Sequence, residues 1–412
     1  MGGRGITALQ QFGVWDDVQQ VSVHVPGRKD WTPQTPKGAE TMLTGQRKYT
    51  PYILPRDKLV SVLYQHIQQH YDNQITVQCG TQVNPVDFEY GNDKSSVVVN
   101  VVVEEDDDND PGIITAEPQN VCAELVLVAD GNARTFADKM EQLDPSFQVV
   151  RYDDDNPRVY KSISFRIPSD WRTDLNYSVR SPDGRVTFDA LPANARGDFV
   201  GVLLVKGDDP MAKGNIDPQE YRMFLKEHIP QFVPFFADSD IDAMAMKESS
   251  TLPRFRYIRP RMHQGKRTVL LGDCAHTVKP YFGMGANSAL EDVLKLGAAI
   301  DRCNNDLTRA VVAFSEERAP EIETLVRVSH SLDQPGTAGV FSFLIPIIMD
   351  GIFSKLAPEI FMPNTITMLQ DEEYSFREVA SRKRIDRLGQ VLLLSLGGFT
   401  LTSTGSLLID SF

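Results

Sequence analysis

Between residues 269 and 292 the chain reads VLLGDCAHTVKPYFGMGANSALED, and its residue types suit holding a polar ligand better than attacking a bond. An apolar run ends at Gly272-Asp273, a loop with Pro280, Gly283 and Gly285 follows, and helical spacing resumes near Asn287. An aspartate at the carboxyl end of a strand can accept hydrogen bonds from the hydroxyls of a sugar-like chain. Glycines let backbone N–H groups come close to a ligand. The start of a helix offers partial positive charge to an anion, or to a ring that becomes anionic on reduction.

Several elements must position that stretch. Residues 268–271 read as a buried strand, and 287–300 as a helix whose inner face carries Leu290, Val293, Leu294, Gly297 and Ile300. A second apolar run, 125–128, reads as a buried strand feeding a turn at Asp130-Gly131. Near the start, 7–18 is a short amphipathic helix, and 57–71 is a clearer one, with Leu59, Val62, Leu63 and Ile67 at helical spacing. Residues 74–79 and 96–103 read as strands. From about 160 to 258 the pattern turns to alternation, so 162–167, 186–191 and 199–205 are expected in a mostly antiparallel sheet, interrupted by a helix over 217–228.

Composition narrows the class. With 412 residues the chain can bury two cores, and 41% hydrophobic with 24% charged residues is ordinary for a globular protein. A net charge of −14 and the lack of a Lys/Arg stripe argue against nucleic acid. Cys79, Cys122, Cys274 and Cys303 show no metal-type spacing and read as reduced thiols of an intracellular protein. No apolar leader opens the chain, and Ile6 stands where a myristoylation signal needs Ser or Thr. The acidic run 104–110 reads as a solvated hairpin loop, since calcium loops need interleaved spacers and a glycine hinge.

The 269–292 stretch resembles the second FAD-binding motif of the class A FAD-dependent aromatic hydroxylases, GDxAHxxxPxxGxGxNxxxED. Gly272, Asp273, Ala275, His276, Pro280, Gly283, Gly285, Asn287, Glu291 and Asp292 fill every fixed position. The resemblance implies that Asp273 binds the ribityl chain. It also implies that Pro280, Gly283, Met284, Gly285, Ala286 and Asn287 lie along the isoalloxazine ring. Asp130-Gly131 within LVLVADGNAR resembles the family's Asp-Gly motif beneath the cofactor, and Arg56-Asp57-Lys58-Leu59 its Arg-x-x-Leu helix start, whose arginine contacts FAD. Arg4-Gly5, with Ala8-Leu9 and Gly13, resembles the segment after the first nucleotide-binding unit, which makes Arg4 a cofactor-side candidate. Taken alone, Arg56 reads as a surface salt-bridge partner rather than a flavin contact until Leu59 and the later motifs join it, and His276 as a loop-holding residue rather than a catalyst. Tyr281 and Phe282 fit either a core or a substrate pocket.

The fold so implied is α/β: a three-layer, glutathione-reductase-like FAD-binding domain over 1–20, 45–150 and 262–335, lacking its first βαβ unit. A mixed or antiparallel substrate domain over 21–44 and 151–261 and a helical region over 336–412 complete it. The strand–GxGxxG–helix unit that cradles pyrophosphate is absent from this sequence, so the chain is expected to be N-terminally truncated, with poor or no FAD binding and little or no activity as it stands. The implied activity is hydroxylation of a small aromatic substrate by O2 through a flavin C4a-hydroperoxide, with NADPH or NADH as transient reductant.

Within the family the likeness leans to the kynurenine 3-monooxygenase-like branch, through the 280–287 loop and segments at 356–363 and 374–384. Polar residues that hold the amino-acid end of that substrate fall here on Ser329, His330 and Ile366, and the loop glutamine on Met284, which leaves the substrate open. Arg28 is a candidate for the carboxylate-binding arginine. Residues 388–409 carry no charge and follow Arg382-Lys383-Arg384 and Arg387; they suit either a membrane span or a docking helix pair. The branch resemblance implies the mitochondrial outer membrane. An FAD-dependent epoxidase or reductase of a lipid or isoprenoid substrate, and a non-catalytic remnant, are the alternative readings.

Overall fold

The computed structural model describes residues 1–43, 51–90, 96–103, 119–153, 157–334 and 336–409. The acidic run at 104–110 lies outside them. The single helix expected over 7–18 is two helices, Gly3–Gln11 (α1) and Trp15–Val21 (α2). The break comes at Gly13, whose φ of 72° is a conformation that glycine adopts without steric cost. Ile6, Leu9, Trp15 and Val18 pack with Val62 of Arg56–His70 (α3) into a small core.

The strands that matter most are short. Val126–Val128 runs parallel to Thr268–Leu270, with Val126 opposite Thr268 and Val128 opposite Leu270. Thr135–Leu143 (α4) follows the first strand and buries Phe136, Ala137 and Met140 in one core with Val128, Val269 and Leu270. The expectation of a fully buried strand at 125–128 holds for Val128 but not for Leu127, which points to the opposite face and is half-exposed. Residues 74–79 form no strand: no described strand pairs with them, and the run is exposed. The pairing begins instead at Thr81–Tyr90, which joins Ser96–Val103 and Gln119–Ala123 in an antiparallel sheet.

Alternation builds the largest sheet. Arg158–Arg166, Asp198–Lys206, Thr187–Pro192 and Leu175–Arg180 are antiparallel neighbours in that order. Gly27–Trp31 then joins in parallel, and Ala39–Met42 closes that edge. Every second residue faces inward, as with Ile163 and Phe165 or Phe188 and Ala190. Pro218–His228 (α5) and Asp238–Met246 (α6) bury Tyr221, Leu225 and Ile241 in the same core. The Asp217 carboxylate starts α5 by accepting the N–H groups of Gln219 at 2.9 Å and Glu220 at 3.0 Å. Each fully buried side chain of this kind stabilises by about 1.5–3 kcal/mol.

Gly285–Arg302 (α7) and Leu307–Ser331 (α8) pack on the core around the parallel strand pair. Gly336–Leu356 (α9), Thr365–Gln370 (α10) and Phe376–Ile409 (α11) make the helical C-terminal region. Between α9 and α11, buried Asp350 accepts from Arg387 at 2.8 Å and pairs with Lys383 at 3.3 Å. Their outer surface exposes Phe341, Ile345, Ile348, Leu388 and Leu392. Among the described residues no helix is long and apolar enough to cross a membrane, so the span expected at 388–409 finds no support. The side chains beyond Ser395 lie outside the description.

Candidate cofactor site

Two aspartates stand at the carboxyl ends of the parallel strand pair. Asp130 and Gly131 follow Val126–Val128, and Gly272 and Asp273 follow Thr268–Leu270. Both turns use glycine at positive φ, 59° at Gly131 and 67° at Gly272. The strands are stitched just before they diverge, by the Leu271 N–H donating to Val128 O at 2.9 Å and by Cys274 Sγ at 3.2 Å from the same oxygen. The carboxyl ends of parallel strands are where open α/β sheets bind ligands.

Both carboxylate oxygens of Asp130 are sealed from solvent and lack a hydrogen-bond partner among the described residues. Burial pushes this carboxyl above its usual range, while the amides of Phe136 and Thr135 at the start of α4 pull the other way without reaching hydrogen-bond geometry. Asp273 differs. It is exposed between buried Gly272 and buried Cys274. A methyl group placed on Gly285, the first residue of α7, would sit 3.8 Å from Asp273 Oδ1. The carboxylate therefore lies beside the helix start.

The intervening loop alternates between packing and exposure. Met284 and Phe282 are buried, whereas Pro280, Tyr281, Gly283 and Ala286 are exposed and Gly285 is half-buried. Gly283 has φ 63° and open space where a side chain would be, so backbone is what it presents. Asn287 closes the loop on itself, donating from Nδ2 to Gly283 O at 2.5 Å and accepting the Gly2 N–H at 2.9 Å. A cavity of about 110 Å³ lies against Gly283 and Asn287, bounded also by Gly2, Pro51, Ile53 and Gln370. An unpartnered acid, an outward acid and a stretch of accessible backbone at a helix start are the donor and acceptor set that a hydroxyl-bearing cofactor such as FAD needs.

Beneath the loop lies an ion network that hydrophobic periodicity had hidden. The inner face of α7 is not the expected apolar stripe: Val293 is exposed, and Asn287, Ser288, Glu291 and Asp292 are buried with Leu296 and Ala299. Asp292 Oδ2 accepts the Gly272 N–H at 2.8 Å and lies 2.7 Å from His276 Nε2. Its Oδ1 accepts Arg318 Nε at 2.8 Å, and Arg318 reaches Glu291 at 2.9 Å. Glu291 in turn pairs with Arg4. Burial opposes ionisation of Asp292, but His276 and Arg318 outweigh it and hold the carboxyl below its usual range.

That network settles where the sequence candidates fall. Arg4 is buried and each of its guanidinium nitrogens is engaged: Nε by Leu369 O at 2.8 Å, the others by Glu291 and by Tyr374 O. It ties α1 to α7 and α10. Arg56 is exposed at the start of α3. Arg28 is held by Asp30 at 2.9 Å. His330 stacks on Tyr152 at 4.1 Å and Ile366 packs beside the buried loop residues Phe282 and Met284. Lys279, just ahead of the loop, is buried against Asp333 at 2.7 Å. Arg318 was missed, although two acids on the buried side of a helix demand a cation from a neighbour.

The parallel strands, the acid at each strand end and the helix start beyond the glycine loop define a flavin-nucleotide-binding protein. The chain belongs to the FAD binding domain family, whose profile matches residues 3–329, and with it to the FAD-binding monooxygenases. It is 24% identical over 396 residues to the kynurenine 3-monooxygenase of Stenotrophomonas maltophilia, covering 93% of this chain and 79% of that protein. It is 25% identical over 299 residues to the kynurenine 3-monooxygenase of Dictyostelium discoideum, covering 71% of this chain and 58% of that one. Against the kynurenine 3-monooxygenase of Phaeosphaeria nodorum the match covers 34% of the relative's length. Among solved structures, the tetrameric form of 2-methyl-3-hydroxypyridine-5-carboxylic acid oxygenase shares the fold, with a TM-score of 0.61 at 17% identity over 84% of this chain and 81% of that one.

Proposed function

We propose that this protein is an FAD-dependent monooxygenase that hydroxylates a small aromatic substrate, in the manner of the kynurenine 3-monooxygenases it resembles, using O2 and NADPH or NADH. The observation that carries the reading is the outward carboxylate of Asp273 at a strand end, beside the unpartnered Asp130 and the start of α7. Asp273 accepts hydrogen bonds from the cofactor's hydroxyls, and Asp130, with its oxygens sealed from solvent, closes the turn beneath the cofactor. The loop from Gly283 to Asn287, exposed at Gly283 and Ala286, lines the ring, and the α7 N-terminus favours the negative charge that a reduced ring carries. Bound FAD supplies the oxygen-activating chemistry. Tyr281, exposed beside buried Phe282, faces the substrate side, and Arg56 adds a cofactor contact. In this reading, 1–20, 45–150 and 262–335 form the cofactor domain, 21–44 and 151–261 the substrate domain, and 336–412 a helical cap.

The test begins with FAD titration of the purified chain, followed by flavin fluorescence and absorbance. Asp273→Ala removes a charged acceptor and is expected to raise the FAD dissociation constant about 10–100-fold. Oxidation of NADPH or NADH is then measured with kynurenine, anthranilate-type amines and phenols. Absence of FAD binding by the parent chain overturns the reading, and FAD binding with no stimulation by any aromatic compound removes the hydroxylase half of it.

A further inference from the structure

We infer that Asp292, buried and out of reach of any ligand, is the positioning residue that keeps Asp273 turned outward; the inference rests on the cofactor reading above. One oxygen of Asp292 holds both ends of a five-residue turn. Oδ2 takes the Gly272 N–H at 2.8 Å and His276 Nε2 at 2.7 Å, and Asp273 is the exposed residue between these anchors. The clamp itself cannot swing, because Oδ1 is fixed by Arg318 Nε at 2.8 Å and Arg318 is fixed again by Glu291 at 2.9 Å and Ser288 O at 3.3 Å.

A second set of bonds braces the same turn from the opposite side. Thr277 Oγ1 donates to Asp273 O at 2.9 Å and itself accepts from the Arg134 guanidinium. The backbone of Asp273 is thus held on both flanks while its side chain is exposed. A loop fixed in this way loses little conformational freedom when a ligand arrives. Gly272 has φ 67° and a space 3.1 Å from Ala289 where a Cβ would be, so the turn has no slack on the helix side either. Releasing Asp292 frees the Gly272 amide and lets the turn sample conformations in which Asp273 misses its partner. Asp292 therefore acts on FAD affinity only through Asp273.

A double-mutant cycle on the full chain tests this, with FAD dissociation constants from fluorescence quenching and apo-protein melting temperatures measured alongside. Asp292→Asn is expected to weaken FAD binding about tenfold in the parent background and less than about twofold in the Asp273→Ala background. A residue that merely stabilises the fold would weaken both backgrounds equally, and that result overturns the inference. If Asp292→Asn does not fold, His276→Asn cuts one anchor without changing a carboxylate and is put through the same cycle with the same expectation. A parent chain that binds no FAD defeats the cofactor reading and this inference with it. A parent that binds FAD beside an Asp292→Asn protein of unchanged affinity defeats the clamp alone.

Discussion

Beneath the cofactor loop, Arg4 and Arg318 are buried against Glu291 and Asp292, two cations matched by two carboxylates. The core of the largest sheet also buries a cation, Lys161, but gives it no carboxylate among the described residues. Its ammonium donates to Lys213 O and Met244 O, each at 2.9 Å, and lies 4.7 Å from the centre of the Tyr221 ring. Around it the sheet core is apolar and aromatic, with Phe232 contacting Trp31, Trp171, Phe165 and Phe188 at ring distances of 4.8 to 5.9 Å. The difference follows from what each region must hold. A packed aromatic core fixes a sheet to within what its neighbours allow, whereas directional bonds between charges fix individual atoms, here the amide of Gly272 and the ring of His276.

The sharpest way to break the comparison is to take one charge from the paired side. Arg318→Met keeps an unbranched stem and removes the cation shared by Glu291 and Asp292. Stranding a buried ion typically costs about 3–5 kcal/mol, and here two carboxylates each lose one partner while Glu291 keeps Arg4 and Asp292 keeps His276. Urea unfolding of the apo-protein should show a loss in that range, together with weaker FAD binding. A loss below about 1 kcal/mol would mean that the network is surplus to the fold. The matching change on the apolar side is Phe232→Ala. It leaves a cavity under four rings and should cost about 3 kcal/mol. Its FAD dissociation constant should stay within about twofold of the parent's, the spread expected for distant, independent sites. Equal effects of the two substitutions on FAD would erase the distinction drawn between the cores.

The same contrast explains what could be read from the chain. Alternation at 162–167 and 199–205 announced the sheet because burial there follows a period of two. The Gly272-Asp273 turn and the Asn287 helix start were legible because their residue types have few other uses in that order. The inner face of α7 was misread for a physical reason: periodicity assumes that the buried side is the apolar side, and here Glu291 and Asp292 turn inward to meet Arg318 while Val293 faces out. Arg4 was assigned to the cofactor side by position along the chain, but its partners come from α7 and from the 369–374 stretch, contacts across more than 280 residues that no local pattern encodes. The break at Gly13 was missed because an amphipathic pattern can run through a glycine whose φ changes sign. Residues 74–79 show the converse, a strand-like pattern without a partner strand.

The unpaired lysine gives the finest test of the comparison. Burial lowers the pKa of Lys161 from 10.5 to about 8, so the folded protein releases this proton well before the unfolded chain does. Between those two values the unfolded state binds more protons, and stability gained from this site therefore rises with pH across that window; below about 8 the charged form is retained at a penalty. Burial pushes the Tyr221 hydroxyl upward, so near pH 10 this residue pulls stability the other way, but it does so in parent and variant alike and cancels from their difference. Lys161→Met removes the titration and leaves the carbonyls of Lys213 and Met244 without this donor, two changes of opposite sign at neutral pH. The discriminating quantity is therefore the slope. From pH 8 to 10 the melting temperature of the parent should climb relative to that of Lys161→Met, whatever the offset between them at pH 7. Parallel curves would show that Lys161 titrates as an ordinary lysine, and that carbonyls and an aromatic face hold a buried cation as well as the carboxylates do under the cofactor loop.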